Sequence, residues 1–121
     1  EHQALNLARA GHRVVAYDRR GFGRSEQPWD GYDYDTLADD LAAVMDALGL
    51  QDAAIVGFSM GGGEVSRYMG RHQGRSVRKA ALLGSIAPYL MDQGGATPEL
   101  LQGMQKAIEK DRPEFLKGFF K

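Results

Sequence analysis

The chain has 121 residues, of which 43% are hydrophobic and 26% charged, proportions of an ordinary globular domain rather than of a disordered or membrane-spanning segment. Fifteen basic and sixteen acidic residues give a formal net charge of -1, so composition offers no electrostatic attraction for nucleic acid or an anionic membrane. Cysteine is absent, which excludes disulfides, thiolate metal sites and a cysteine nucleophile. With neither a secretory signal nor a long apolar run, we expect a cytoplasmic protein without nucleic-acid or membrane partners.

The first third of the chain predicts a helix, a strand and a long loop. The sequence starts without methionine, inside a helical pattern that Gly11 closes, so we expect a piece of a longer protein. The apolar, β-branched run of residues 12–17 predicts a buried strand. Polar residues and glycines over 18–32 predict an irregular connection.

Helices and strands continue to alternate in the middle of the chain. A second helix is expected to start with Asp35 or Thr36 as its cap and to end at Gly49. Its apolar face is predicted to carry Leu37, Leu41, Val44 and Leu48. Strands over 53–56 and 77–83 enclose a third helix that closes near Arg71, and this order is typical of an open parallel α/β sheet.

The last part of the chain breaks this alternation. Residues 85–97 are predicted to form a loop, and Pro98 starts a helix carrying Leu100, Leu101, Met104 and Ile108. A short final helix is predicted over 113–120.

The motif with the clearest chemistry is Gly57-Phe58-Ser59-Met60-Gly61, which fits the pattern Gly-x-Ser-x-Gly. In such a nucleophile elbow a sharp turn between strand and helix holds the serine in a strained conformation and exposes its hydroxyl. Glycine is expected at 57 and 61 because a side chain there would collide with neighbouring backbone. The competing interpretation is that Ser59 merely caps a helix.

Three stretches together resemble the α/β-hydrolases, and within them the bacterial cofactor-free haloperoxidases, also described as perhydrolases or aryl esterases. These stretches are residues 12–25, residues 29–41 and residues 56–64. The resemblance implies an α/β fold, a partial α/β-hydrolase fold in which three parallel strands correspond to the family's fourth to sixth. Residues 1–84 would form the central part of the core, and 85–121 would start a helical cap. The family's third strand, which would lie between the first two, is not in the sequence.

The resemblance assigns Ser59 as the nucleophile and the backbone N–H of Met60 as one oxyanion donor. Because the family's chain order is serine, acid, histidine, it gives no triad role to Asp18, Asp39, Asp40, His2 or His12. After Ser59 the sole histidine is His72, and the only carboxylate between these two residues is Glu64. His72 should lie at the far, exposed end of the third helix, too distant to act on Ser59. The acid and the histidine are therefore expected beyond Lys121, and the second oxyanion donor before Glu1. The 121 residues alone are expected to be inactive.

The expected function is that of a serine hydrolase acting on small carboxylic esters through an acyl-enzyme. The resemblance implies a perhydrolase or chloroperoxidase side activity with hydrogen peroxide, and no cofactor or metal. Phe58 is a candidate for the acyl pocket, with Trp29 and Tyr89 weaker ones. The arginines of residues 18–25 are interpreted as tying down a loop, because their glycine spacing fits no phosphate or dinucleotide site. The alternatives are a non-catalytic ligand-binding protein of the same fold, or a lyase or dehalogenase.

Overall fold

A computed structural model describes residues 2–86 and 96–120 of the chain. It contains four helices and two strands in the order α1 (His2–Arg9), α2 (Tyr34–Ala47), β1 (Ala53–Phe58), α3 (Met60–Arg71), β2 (Val77–Leu83) and α4 (Pro98–Phe119). The two strands are parallel neighbours in one sheet, with Ile55 opposite Ala80 and Phe58 opposite Leu83. This confirms the α/β class with a partial parallel sheet and flanking helices.

The hydrophobic core lies where α2 and α3 pack together against the sheet. Its largest fully buried side chains are Tyr68 of α3 and Met45 of α2. The hydroxyl of Tyr68 donates a hydrogen bond of 2.7 Å to the carbonyl of Arg75, so this buried polar group is satisfied. The other buried apolar residues are Leu37, Ala38, Leu41, Ala42 and Val65. Packing on both β1 and α2 fixes α3, the helix that follows Ser59.

The predicted buried strand over 12–17 is wrong. These residues form neither helix nor strand, and most of them are exposed. A strand needs a hydrogen-bonded neighbour, and within 2–86 and 96–120 the only paired strands are β1 and β2. This agrees with the gap that the resemblance implied between the first and second of its three strands.

The start and the inner face of α2 also differ from the prediction. The helix is capped by Asp33, whose carboxylate accepts the N–H of Thr36 at 2.9 Å, and not by Asp35 or Thr36. Its buried face runs through Leu37, Leu41 and Met45, while Val44 is half-buried and Leu48 exposed. The apolar pattern permitted either face, and packing against α3 selected between them.

Replacing Asp33 with alanine is expected to lower the thermal unfolding midpoint by a few degrees, because the start of α2 loses its acceptor. Hydrogen bonds from the N–H and hydroxyl of Thr36 hold the pKa of the Asp33 carboxyl below its usual range. The stabilisation from this charge is complete above the unfolded-state pKa and is lost as pH falls through the folded-state pKa. Asp33→Asn is the control, because asparagine caps about as well without titrating. A difference in midpoint between Asp33→Asn and wild type that stays constant on acidification would contradict this prediction.

Helix α4 packs against no other helix or strand among the described residues. Asp111 inside it has non-helical angles, φ -157° and ψ 89°, and its carboxylate accepts the N–H of Glu114 at 3.0 Å. The predicted division into a longer helix and a short final one is therefore confirmed, with Asp111 capping the second. None of the helices in the described ranges is both long and apolar enough to cross a bilayer.

Candidate active site

Ser59 occupies the single residue between the end of β1 and the start of α3, in a strained backbone conformation with φ 51° and ψ -122°. Its N–H donates to the carbonyl of Leu83 at 3.1 Å, and its carbonyl accepts the N–H groups of Gly62 and Ile86. These bonds to both sides of the turn hold the unfavourable geometry in place. The strained turn predicted from the motif is confirmed.

The competing interpretation of Ser59 as a helix cap is wrong. Ser59 has the N-cap position of α3, but its side chain accepts no hydrogen bond from the first turn of the helix. A serine that stabilises the start of a helix accepts a backbone N–H of the first turn with its hydroxyl oxygen. The hydroxyl of this half-buried residue is therefore not used to stabilise the helix.

The two glycines of the motif serve different purposes. A Cβ on Gly57 would lie 2.4 Å from the carbonyl oxygen of Gly61 and 2.7 Å from Cα of Gly62. Strand and helix therefore touch at Gly57, as predicted. At Gly61 the prediction of a backbone collision is wrong, because a Cβ there would meet only the guanidinium of Arg19, at 3.2 Å.

The next two glycines extend this close packing around the first turn of α3. A Cβ on Gly62 would overlap the side chain of Ser85, and one on Gly63 would lie 2.4 Å from the ring of Tyr34. Each of the three consecutive glycines thus allows a different segment to approach α3. These segments are the loop before α2 at Gly61, the residues after β2 at Gly62 and the start of α2 at Gly63. The start of α3 is enclosed by tertiary contacts.

The backbone N–H of Met60 is the first of α3, where no preceding helical turn supplies an acceptor, and no hydrogen bond to it occurs within the described residues. Free N–H groups and the helix dipole together favour a negative charge at this end. Phe58, the other flanking residue, is 73% exposed, while Trp29 is fully exposed. Tyr89 lies outside the described residues.

The histidines of the chain do not approach Ser59 in a triad. His72 follows the last residue of the 12-residue helix α3, about 18 Å from its start along the axis. Its Nε2 lies 2.8 Å from Oδ1 of Asp39, and its ring stacks on Tyr68. The expected helix end is correct, but the ring is half-buried rather than exposed. His2 and His12 are exposed, on α1 and just after it.

Glu64 has a position that the sequence did not reveal. It is 4% exposed, and it is the buried charged residue of the described ranges. The hydroxyl of Tyr17 donates to its Oε1, and Nε of Arg19 lies 2.7 Å from its Oε2 without the alignment of a hydrogen bond. Burial and the Glu64 hydrogen bond raise the pKa of the Tyr17 phenol above its usual value. A sequence signal existed, since Glu64 shares an inner helical face with Val65 and Tyr68.

The arginine-containing loop has the structural role predicted for it. Arg20 makes a two-point ion pair with Asp40 of α2, with Nη2 2.7 Å from Oδ1. The carboxylate of Asp18 accepts the N–H of Arg24 at 3.0 Å. Within 2–86 and 96–120, no group of three histidine, aspartate or glutamate side chains could hold a metal ion.

A parallel strand that ends in a strained serine, followed at once by a glycine-rich helix, is the arrangement of the nucleophile elbow. The chain belongs to the alpha/beta hydrolase fold family, whose model matches residues 1–120. The family resemblance stated from the sequence is confirmed.

Among curated proteins, the chain is 48% identical over its full length to a putative non-heme chloroperoxidase from Synechocystis and covers 45% of it. It is 44% identical to a bifunctional esterase/perhydrolase from Acinetobacter calcoaceticus, matching 93% of this chain and 42% of that protein. Among solved structures, an esterase from Exiguobacterium antarcticum superposes with TM-score 0.92 at 36% identity, over 98% of this chain and 46% of the esterase. The chain thus spans less than half the length of these relatives.

Proposed function

We propose that the whole protein is a serine hydrolase that cleaves small carboxylic esters through an acyl-enzyme on Ser59. The observation that carries this proposal is the backbone of Ser59, held at φ 51° between strand and helix while its hydroxyl caps nothing. Strain of this kind persists where surrounding structure over-determines it, and it is concentrated at functional sites. Relatives named as an esterase and an esterase/perhydrolase support the same reaction class.

The chemistry follows from this placement. Oγ of Ser59 attacks the ester carbonyl carbon while its proton passes to a general base, and the carbonyl oxygen becomes an oxyanion. The N–H of Met60, at the positive end of α3, donates to that oxyanion. Collapse of the tetrahedral intermediate releases the alcohol, which takes the proton from the base. Water then cleaves the acyl-enzyme to the acid and restores Ser59.

The base and the carboxylate that orients it are proposed to come from outside the described residues. Within 2–86 and 96–120, His72 and Asp39 form the histidine–carboxylate pair, and they lie at the opposite end of α3 from Ser59. A second oxyanion donor is proposed to come from outside these ranges as well. These residues would then contribute the nucleophile Ser59 and one oxyanion donor, the N–H of Met60, to the active site.

Relatives named as non-heme chloroperoxidases and as a perhydrolase support a second outcome for the acyl-enzyme. Hydrogen peroxide would replace water as the nucleophile and release a peracid. The peracid then transfers one oxygen atom to a halide ion, giving hypohalite and the carboxylic acid. We propose Phe58 as part of the acyl pocket, since its exposed ring directly precedes Ser59 along the chain.

A fluorophosphonate probe tests the nucleophile directly, because it forms a covalent bond only with an activated serine. We expect one probe per molecule of the whole protein, located at Ser59 by peptide mass spectrometry, and no labelling of Ser59→Ala. Ser76→Ala is the matched control, because Ser76 also has a positive φ, of 63°, but its hydroxyl donates to the side chain of Gln51. A folded whole protein that takes no probe at Ser59 would contradict the proposal and favour a ligand-binding role.

A further inference from the structure

Glu64 is a charged group in a place where charge is costly. The residue is 4% exposed and lies one helical turn beyond the nucleophile end of α3. Removing a carboxylate from water is expensive, and a buried ion pair contributes little net stability compared with apolar side chains of similar volume. A purpose other than stability is therefore needed to explain a glutamate here.

The partners of Glu64 come from a segment far away in the sequence. The hydroxyl of Tyr17 and the guanidinium of Arg19 approach its two oxygens from the residues between α1 and α2. The same guanidinium borders Gly61, where an added Cβ would lie 3.2 Å from Nη2 of Arg19. Arg19 thus forms an ion pair with Glu64 and also lies beside Gly61, the residue after Met60.

After Met60, the first turn of α3 consists of three glycines, which have no side chains with which to hold its position. Gly61, Gly62 and Gly63 leave it dependent on what packs around it. Glu64 is the first residue beyond these glycines, and it contacts a neighbouring segment through a hydrogen bond from Tyr17 and an ion pair with Arg19. It therefore anchors the turn that carries the N–H of Met60 and follows Ser59.

We propose that Glu64 is a positioning residue that, through Tyr17 and Arg19, holds the first turn of α3 so that Ser59 Oγ and the Met60 N–H keep their reactive orientation. This rests on the proposed function of Ser59. Burial raises the pKa of Tyr17, so its phenol stays protonated and keeps donating throughout the neutral range. Small displacements at a reacting centre cost far more in rate than in binding.

The chain offers a matched control in the adjacent residue. Arg20 comes from the same segment as Arg19, but its ion pair is with Asp40 of α2 and not with a residue of α3. Asp40→Asn breaks this pair and leaves the direct contacts of Glu64 with Tyr17 and Arg19 in place. This variant measures how the loss of an ion pair elsewhere in the same segment changes kcat and KM of the whole protein.

The experiment compares kcat and KM for a small aryl ester in Glu64→Gln, Tyr17→Phe and Asp40→Asn variants of the whole protein, each assayed well below its unfolding midpoint. We expect kcat to fall about tenfold to a hundredfold in the first two, with KM changed less than about twofold. Asp40→Asn should leave both constants unchanged. Hydrogen exchange at the amide of Gly62, which donates to the carbonyl of Ser59, should become faster in Glu64→Gln and in Tyr17→Phe but not in Asp40→Asn. If Glu64→Gln does not fold, Tyr17→Phe decides alone.

Wild-type kcat in folded Glu64→Gln and Tyr17→Phe would overturn the inference while Ser59 of wild type still takes the fluorophosphonate probe. An equal loss of kcat in Asp40→Asn would overturn it too, since any ion pair of the segment would then suffice. A wild-type protein that is not labelled at Ser59 overturns the proposed function and this inference with it.

Discussion

Ser59→Ala is expected to lower kcat/KM for ester hydrolysis by the whole protein at least about a thousandfold. Without Oγ no acyl-enzyme forms, and only substrate binding and oxyanion stabilisation remain to accelerate attack by water. Steady-state hydrolysis of an aryl acetate measures the loss of turnover, and mass spectrometry of the protein measures the loss of the acyl-enzyme. Ser76→Ala is the control, because Ser76 also has a positive φ but its hydroxyl donates to the side chain of Gln51. Retention of more than about a tenth of wild-type activity in Ser59→Ala would contradict the assignment.

The same position should show opposite effects on activity and on stability. A non-glycine residue at φ 51° and ψ -122° is strained, whereas glycine adopts such angles freely. We expect the free energy of unfolding of Ser59→Gly to exceed that of Ser59→Ala by about 1 kcal/mol, as measured by denaturant unfolding. This difference already includes the entropic cost of ordering a glycine. Both variants lack the hydroxyl and should be equally inactive. Equal unfolding free energies would show that the turn stores no strain.

Gly57→Ala is expected to destabilise the fold by about 3 kcal/mol or more, because its Cβ would meet the backbone of α3 at 2.4 Å. Backbone atoms cannot move aside as a side-chain tip can, so β1 and α3 would have to separate. The Ser59 turn would open with them, and the labelling rate at Ser59 should fall.

Gly61→Ala is the matched control, since both glycines belong to the same motif. Its Cβ meets only the tip of Arg19, which can shift, so we expect a loss of about 1 kcal/mol or less. Urea unfolding of the two variants measures the difference. Equal destabilisation by the two substitutions would contradict the different roles inferred for these glycines.

The site could be predicted from sequence where the signal is local. Five residues around Ser59 encode the turn, because glycine at 57 is required by the contact of strand and helix and the turn itself is short. Strand β2 was also predicted correctly over 77–83, where Val77 and the apolar run of residues 80–83 lie between Gly74 and Gly84.

The predictions failed where the outcome depends on a distant partner. Residues 12–17 have the composition of a strand, but a strand also requires a neighbour, which the described residues do not supply. The face of α2 was wrong because two overlapping apolar stripes fit the pattern, and contact with α3 selects Met45 over Leu48. Burial of Glu64 was missed for a similar reason, as it depends on Tyr17 and Arg19 approaching from another segment.

The glycines that let neighbours approach α3 also weaken its first turn. Each glycine in a helix costs roughly 0.5 to 1 kcal/mol relative to alanine, and three consecutive glycines follow Met60, the first residue of α3. The first turn then depends on Arg19, Ser85 and Tyr34 for its order. On heating, this region should melt as a separate local unit before the core around Tyr68 and Met45. The whole protein would then lose activity at a lower temperature than it loses secondary structure. A ligand bound at the elbow should reduce the difference between these two temperatures.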